Sequence, residues 1–196
     1  MTVARLQPKA DAREAGSSDE LFQIISKRSL RRGQFKLASG LESTLYFNMK
    51  ASLMDPRGGA LIARAFLDCA YADEADFVGG LALGAVPTLG AMAALSDIEN
   101  RPMRTFFVRQ KAKDHGTQEL IEGLTAEESF SGKRVLAVDD VATKGGSIMQ
   151  AIEAARELGA TVETALVVVD RQKGAKEFLQ EQGVRLVSLF EESQFL

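Results

Sequence analysis

The stretch that most constrains this chain is residues 134–146, reading RVLAVDDVATKGG, with Ser147 after it. Val135, Leu136, Ala137 and Val138 form an unbroken apolar run, the pattern of a strand covered on both faces of a parallel sheet. Asp139 and Asp140 then stand at the expected C-terminal end of that strand. A short polar loop follows, Thr143-Lys144-Gly145-Gly146-Ser147, after which Ile148, Ala151, Ile152, Ala155 and Leu158 recur at helical spacing. Gly159 is a fitting C-terminal stop for the helix.

That order has chemical content. Ligands of open α/β sheets bind where strands end and helices begin. A glycine-rich entry to a helix presents unpaired backbone N–H groups and the positive end of the helix dipole, which suits a phosphate. Gly145 and Gly146 permit positive φ and close backbone approach. Two adjacent carboxylates just upstream suit vicinal hydroxyls or a hydrated metal, so the sum reads as a sugar-phosphate site. Either pair alone is more simply a solvated or flexible turn; the ordered combination carries the reading. The Gly-Lys-Ser/Thr ending of a P-loop is missing.

With these residues in view, the stretch resembles the phosphoribosyl pyrophosphate (PRPP) signature of type I phosphoribosyltransferases. A second stretch, residues 109–116 reading RQKAKDHG and followed by Ile121-Glu122-Gly123, resembles the mobile catalytic loop of orotate phosphoribosyltransferases. The likeness runs from about Leu21 to Leu189. It implies an α/β fold with a mainly parallel sheet flanked by helices and a small N-terminal hood. The implied reaction is Mg²⁺-dependent transfer of 5-phosphoribosyl from PRPP to orotate, giving orotidine 5′-phosphate and pyrophosphate. Mg²⁺ would arrive with PRPP and have no direct protein ligand. A homodimer with shared active sites is implied too.

The resemblance also assigns roles. Arg109, Lys111, Lys113 and His115 would meet the pyrophosphate, with Lys113 and His115 catalytic. Asp139 and Asp140 would fix the ribose hydroxyls and favour a cationic sugar. Thr143, Lys144, Gly145, Gly146 and Ser147 would hold the 5′-phosphate, with Val141 and Ala142 also among the PRPP-binding residues. Orotate would be read by backbone groups of Tyr46 and Phe47, by Thr143, and by Arg171, whose planar guanidinium can grip a carboxylate with two prongs. An Asp170–Arg171 surface pair is the alternative for that arginine. Two positions depart from the family pattern: Ala38 stands where many relatives carry Lys, and Gln110 where they usually do; some members also place a Lys where this chain has Gly84. Lys144, unusual in its loop, is a candidate to offset Gln110. A purely structural role for Gly84 is an equal alternative.

The remaining chain fits this frame. One hundred and ninety-six residues suit one domain. Residues 1–16 lack periodicity and read as a disordered tail, leaving 17–196 as the domain, with the hood at about 33–50 and the mobile loop at about 109–123. Ser17-Ser18-Asp19-Glu20 offers a start for a helix carrying Leu21, Phe22, Ile24, Ile25 and Leu30, with Gly33 as its end. Two short strands form the hood, and Asp55-Pro56 opens a further helix. Phe77-Val78, 103–108, 164–169 and 184–190 read as strands, with a short tail from Glu191. A long charged loop inside a compact domain is usually functional or disordered. His115 is the single histidine; such a residue is most often incidental, and the motif around it favours a role.

The net charge of −3 gives no general attraction to nucleic acid or anionic membrane, so an anionic substrate needs cations concentrated locally. Cys69 is the single cysteine, which excludes an internal disulfide and fits a reducing compartment. No apolar run reaches the length of a membrane span, and the N-terminus lacks a signal peptide's apolar core; the expected location is cytoplasmic. Two other readings stay open: a phosphoribosyltransferase for another base, and a PRPP-sensing regulator that binds nucleic acid on the same fold.

Overall fold

In the computed structural model, residues 12–36, 42–110 and 120–196 are described, the side chains of 12–15 excepted. Helix α1 (Ala12–Arg28) begins upstream of the expected start at Ser17. It also ends earlier than expected. Ser29 N donates to Ile25 O at 2.9 Å, and Leu30 opens strand β1 (Leu30–Lys36). Gly33 therefore does not stop the helix. It lies inside β1, where the pairing with β2 (Glu42–Phe47) shifts register between Arg32 and Phe35. These antiparallel strands form the hood.

The chain continues through a single-turn helix α2 (Lys50–Leu53), which replaces the expected end of the hood strand. Helix α3 (Pro56–Ala72) starts as the sequence predicts. Asp55 caps it, its side chain accepting from Arg57 N at 3.1 Å and Gly58 N at 2.9 Å, and proline occupies the first turn, where its missing N–H costs nothing.

Six strands form the main sheet, in the order β5-β4-β3-β6-β7-β8. They are β3 (Phe77–Leu81), β4 (Arg104–Val108), β5 (Ile121–Glu122), β6 (Arg134–Ala142), β7 (Thr161–Asp170) and β8 (Arg185–Glu191). All neighbours are parallel except β5, which runs antiparallel to β4. Helices α4 (Val86–Ile98), α5 (Gly146–Glu157) and α6 (Ala175–Glu181) complete the layers, and Glu192–Phe195 is a 3₁₀ turn.

The period-two alternation of the central strands divides the core. Leu136, Val138, Leu166 and Val168 face one cluster with Ile62, Phe66 and Met92 of α3 and α4. Val135, Ala137, Ala165 and Val167 face the other, with Ile148 and Ile152 of α5 and Leu179 of α6. Cys69 packs half-buried against the first cluster, its thiol pushed up chiefly by burial. No described helix is long and apolar enough to cross a membrane.

Candidate active site

Strand β6 runs further than its apolar run suggests, through Asp139, Asp140 and Val141 to Ala142. Pairing with β7 carries it there: Val141 lies opposite Val169, and Ala142 opposite Asp170. The two acids are thus held by the sheet itself. Asp139 is buried and accepts a hydrogen bond from Asp140 N at 2.9 Å. Burial first, and then the charge of Asp140, push its carboxyl up to about 8; the charge of Lys50 pulls the other way.

After Ala142 the backbone turns through Thr143–Gly145 into α5. Gly145 is the residue before the helix and has φ +83°, so the positive φ expected of this pair is realised there. A Cβ at Gly145 would also lie 2.9 Å from the Phe178 ring. No side chain caps α5, so its first N–H groups remain available to an anion at the positive end of the dipole.

These residues line a cavity of about 490 Å³ with Tyr46 and Phe47 of the hood, Thr143–Ser147 of the loop, Asp139 and Arg171. A second cavity, of about 820 Å³, adjoins it and shares Asp139, Val141 and Ser147. Its other walls are Lys50, the turn Leu81–Gly84, Arg109, Gln110 and Asp140. Asp139 stands between the two spaces.

Arg171 reaches the first cavity because Arg171 N donates to Ala142 O at 2.9 Å, aligning the ends of β6 and β7. It is not an exposed partner of Asp170. Its guanidinium is buried, with Nε on Glu192 Oε2 at 2.5 Å and Nη2 on Ser43 Oγ at 2.8 Å and Leu45 O at 2.9 Å. Nη1 has no hydrogen-bond partner among the described residues. The two-pronged grip expected from this arginine is therefore already occupied on its Nε side by the protein, and one prong remains.

Tyr46 is exposed and tilted against Phe35, while Phe47 is buried against Phe195. A two-stranded hood leaves each strand an unpaired backbone edge, so β2 keeps groups to offer a planar ring whatever its side chains do.

Arg109 lies at the root of the long loop. Its N donates to Leu120 O at 2.8 Å and its guanidinium pairs with Glu122 at 3.3 Å. Lys111, Lys113, His115 and Ala38 lie outside the described residues. Lys144 lines the first cavity and Gln110 the second. The turn Leu81–Gly84 follows a glycine-bearing strand and contains a cis peptide between Ala82 and Leu83.

Sequence reasoning missed Lys50, Ser43 and Glu192. The sequence pattern puts Lys50 at the end of a hood strand and Glu192 in a tail, whereas they open α2 and the 3₁₀ turn.

Known proteins share this fold. A family model for the phosphoribosyl transferase domain matches residues 52–188. A Rhodopseudomonas palustris orotate phosphoribosyltransferase is 46% identical over 183 residues, covering 93% of this chain and 98% of the relative. The chain belongs to the orotate phosphoribosyltransferase family. The Aquifex aeolicus orotate phosphoribosyltransferase is 38% identical, over 91% of this chain and 97% of its own. Among solved structures, a Mycobacterium tuberculosis orotate phosphoribosyltransferase in complex with PRPP superposes with TM-score 0.74 at 31% identity, covering 91% of this chain and 98% of the other. The mainly parallel sheet with a hood, expected from the sequence, is the architecture of this family.

Proposed function

We infer that this chain transfers the 5-phosphoribosyl group of PRPP to a ring nitrogen of orotate, forming orotidine 5′-phosphate and pyrophosphate on the route to UMP. The observation that carries the assignment of the site is the two-part cleft with Asp139 at its junction: a phosphate loop and base hood on one side, a glycine turn and cations on the other.

In this reading Thr143–Ser147 and the start of α5 hold the 5′-phosphate, supported by Val141 and Ala142. Asp139 and Asp140 accept the ribose hydroxyls. Orotate lies against β2, with backbone contacts at Tyr46 and Phe47, Thr143 beneath it and Arg171 Nη1 on its carboxylate. Breaking the anomeric C–O bond leaves an oxocarbenium-like sugar beside the acids and a highly charged leaving group in the second cavity. Catalysis of this kind is mostly positional and electrostatic. Arg109, Lys111, Lys113 and His115 answer the leaving group's charge, and a loop drawn over the cleft excludes water.

No cluster of three or more metal-ligating side chains occurs among the described residues. Two adjacent carboxylates beside a diphosphate site suit Mg²⁺ held mainly by substrate oxygens and water. When bound, the ion would neutralise charge on the diphosphate.

The direct test is orotate consumption by the purified protein with PRPP and Mg²⁺, against uracil, adenine and hypoxanthine as controls. Turnover of another base in preference to orotate would reassign the substrate. We further propose a homodimer in which the loop of one subunit serves the site of the other. Mixing Lys113→Ala and Asp140→Asn chains should recover part of the activity; no recovery would count against shared sites. A cytoplasmic location suits these substrates.

A further inference from the structure

We propose that Lys50 is a diphosphate-binding residue of this site, reaching into the second cavity from α2 to supply the positive charge that the turn at Gly84 lacks. This rests on the reading of the cleft given above.

The argument starts at Gly84. A Cβ there would lie 2.4 Å from Asp139 Oδ1 and 3.1 Å from Asp140 Oδ1. The turn is therefore packed directly on the twin acids, and no side chain, cationic or otherwise, fits at this position without displacing them. The turn Leu81–Gly84 brings no charged side chain to the cleft, so the charge on this side has to come from elsewhere.

Among the described residues, the cations lining the cavity are Lys50 and Arg109. Arg109 is paired with Glu122 at 3.3 Å. Lys50 makes no ion pair among the described residues, and its charge is felt at Asp139. An ammonium that lines the same cavity as the twin acids, without pairing to either, is placed to meet a bound anion.

Its platform is fixed. Met49 before it and Ser52 and Leu53 after it are buried. Ser52 Oγ lies 2.6 Å from Ser29 Oγ, and Arg28 Nε donates to Ala51 O at 3.0 Å. Helix α2 is thereby tied to the end of α1, while Lys50 itself stays exposed to the cavity. A lysine that merely solvated the surface would have no need of this setting. Such a flexible point charge suits a diphosphate, which offers many oxygens and little directional demand.

The test is calorimetric binding of two probes, magnesium pyrophosphate and orotidine 5′-phosphate, to wild type, Lys50→Met, Lys50→Gln and Lys50→Arg. Orotidine 5′-phosphate fills the first cavity and carries no diphosphate. Loss of one charge-assisted contact should weaken pyrophosphate by about tenfold or more in the Met and Gln variants. Orotidine 5′-phosphate should change by less than about twofold, and Arg should restore most of the pyrophosphate affinity. If wild type binds both probes and the neutral variants bind pyrophosphate as tightly, or lose both probes equally, the assignment of Lys50 is overturned. If wild type binds neither probe, the reading of the cleft fails and takes the role of Lys50 with it.

Discussion

Glu192 holds Arg171 by one edge: Nε donates to Oε2 at 2.5 Å, in a pair whose members are 3% and 8% exposed. Ser43 and Leu45 of the hood take Nη2. One guanidinium thus ties the 3₁₀ turn, the end of β7 and the hood together, and what it presents to the cavity is set by these partners.

Removing Glu192 leaves a buried guanidinium without its counter-charge. Glu192→Ala should cost about 3 kcal/mol and raise the KM for orotate more than that for PRPP. Glu192→Gln keeps an acceptor and should lose less of both. Urea unfolding and steady-state kinetics check this; an alanine variant with wild-type stability and wild-type orotate KM would show that the pair matters little.

The raised carboxyl of Asp139 makes stability depend on pH. Between its ordinary value of 3.8 and about 8, the folded chain keeps a proton that the unfolded chain has released. Stability from this group therefore falls as pH rises through that window and levels off above it. Asp139→Asn has no such proton, so its stability relative to wild type should grow from about pH 4 to about pH 8 and then hold. Chemical unfolding across that range gives the answer; a constant difference, or one of opposite slope, contradicts the buried, protonated state.

Gly84→Ala should cut kcat/KM by roughly a hundredfold, because small displacements of positioned groups are costly. The methyl group would push on Asp139 Oδ1 and not on the core, so the melting temperature should move little. A variant with full activity would mean the acids can shift without penalty.

Gly145→Ala combines an unfavourable φ of +83° with a contact 2.9 Å from the Phe178 ring. It should lose about 1–2 kcal/mol of stability and raise the KM for PRPP, with that for orotate less affected. Equal effects on both substrates would argue against a phosphate role for this turn.

The legible parts of the fold were those written in local pattern. The apolar run Val135–Val138 and the β-branched Val167–Val169 announce central strands, and Asp55-Pro56 announces a capped helix. The glycine loop and twin acids mark the site because their order along the chain is itself the geometry. What escaped was set by distant partners. Asp139 and Asp140 are polar, yet β7 pairing holds them in a strand. Leu30 continues the helical spacing of α1, yet it pairs with Phe47. The partners of Arg171 lie 128, 126 and 21 residues away, and no local signal connects them.

The glycines of β3 have a wider consequence. A Cβ at Gly79 would fall 2.1 Å from the Phe106 ring, and one at Gly80 2.1 Å from Val138 O. Both positions are pressed against the neighbouring strands β4 and β6, and that close fit sets where the turn Leu81–Gly84 meets the cleft. A library randomised at Gly79 and Gly80 should return glycine almost alone, so any attempt to retune this enzyme toward a different leaving group has to work from the opposite bank, through α2 and the base of the β4–β5 hairpin.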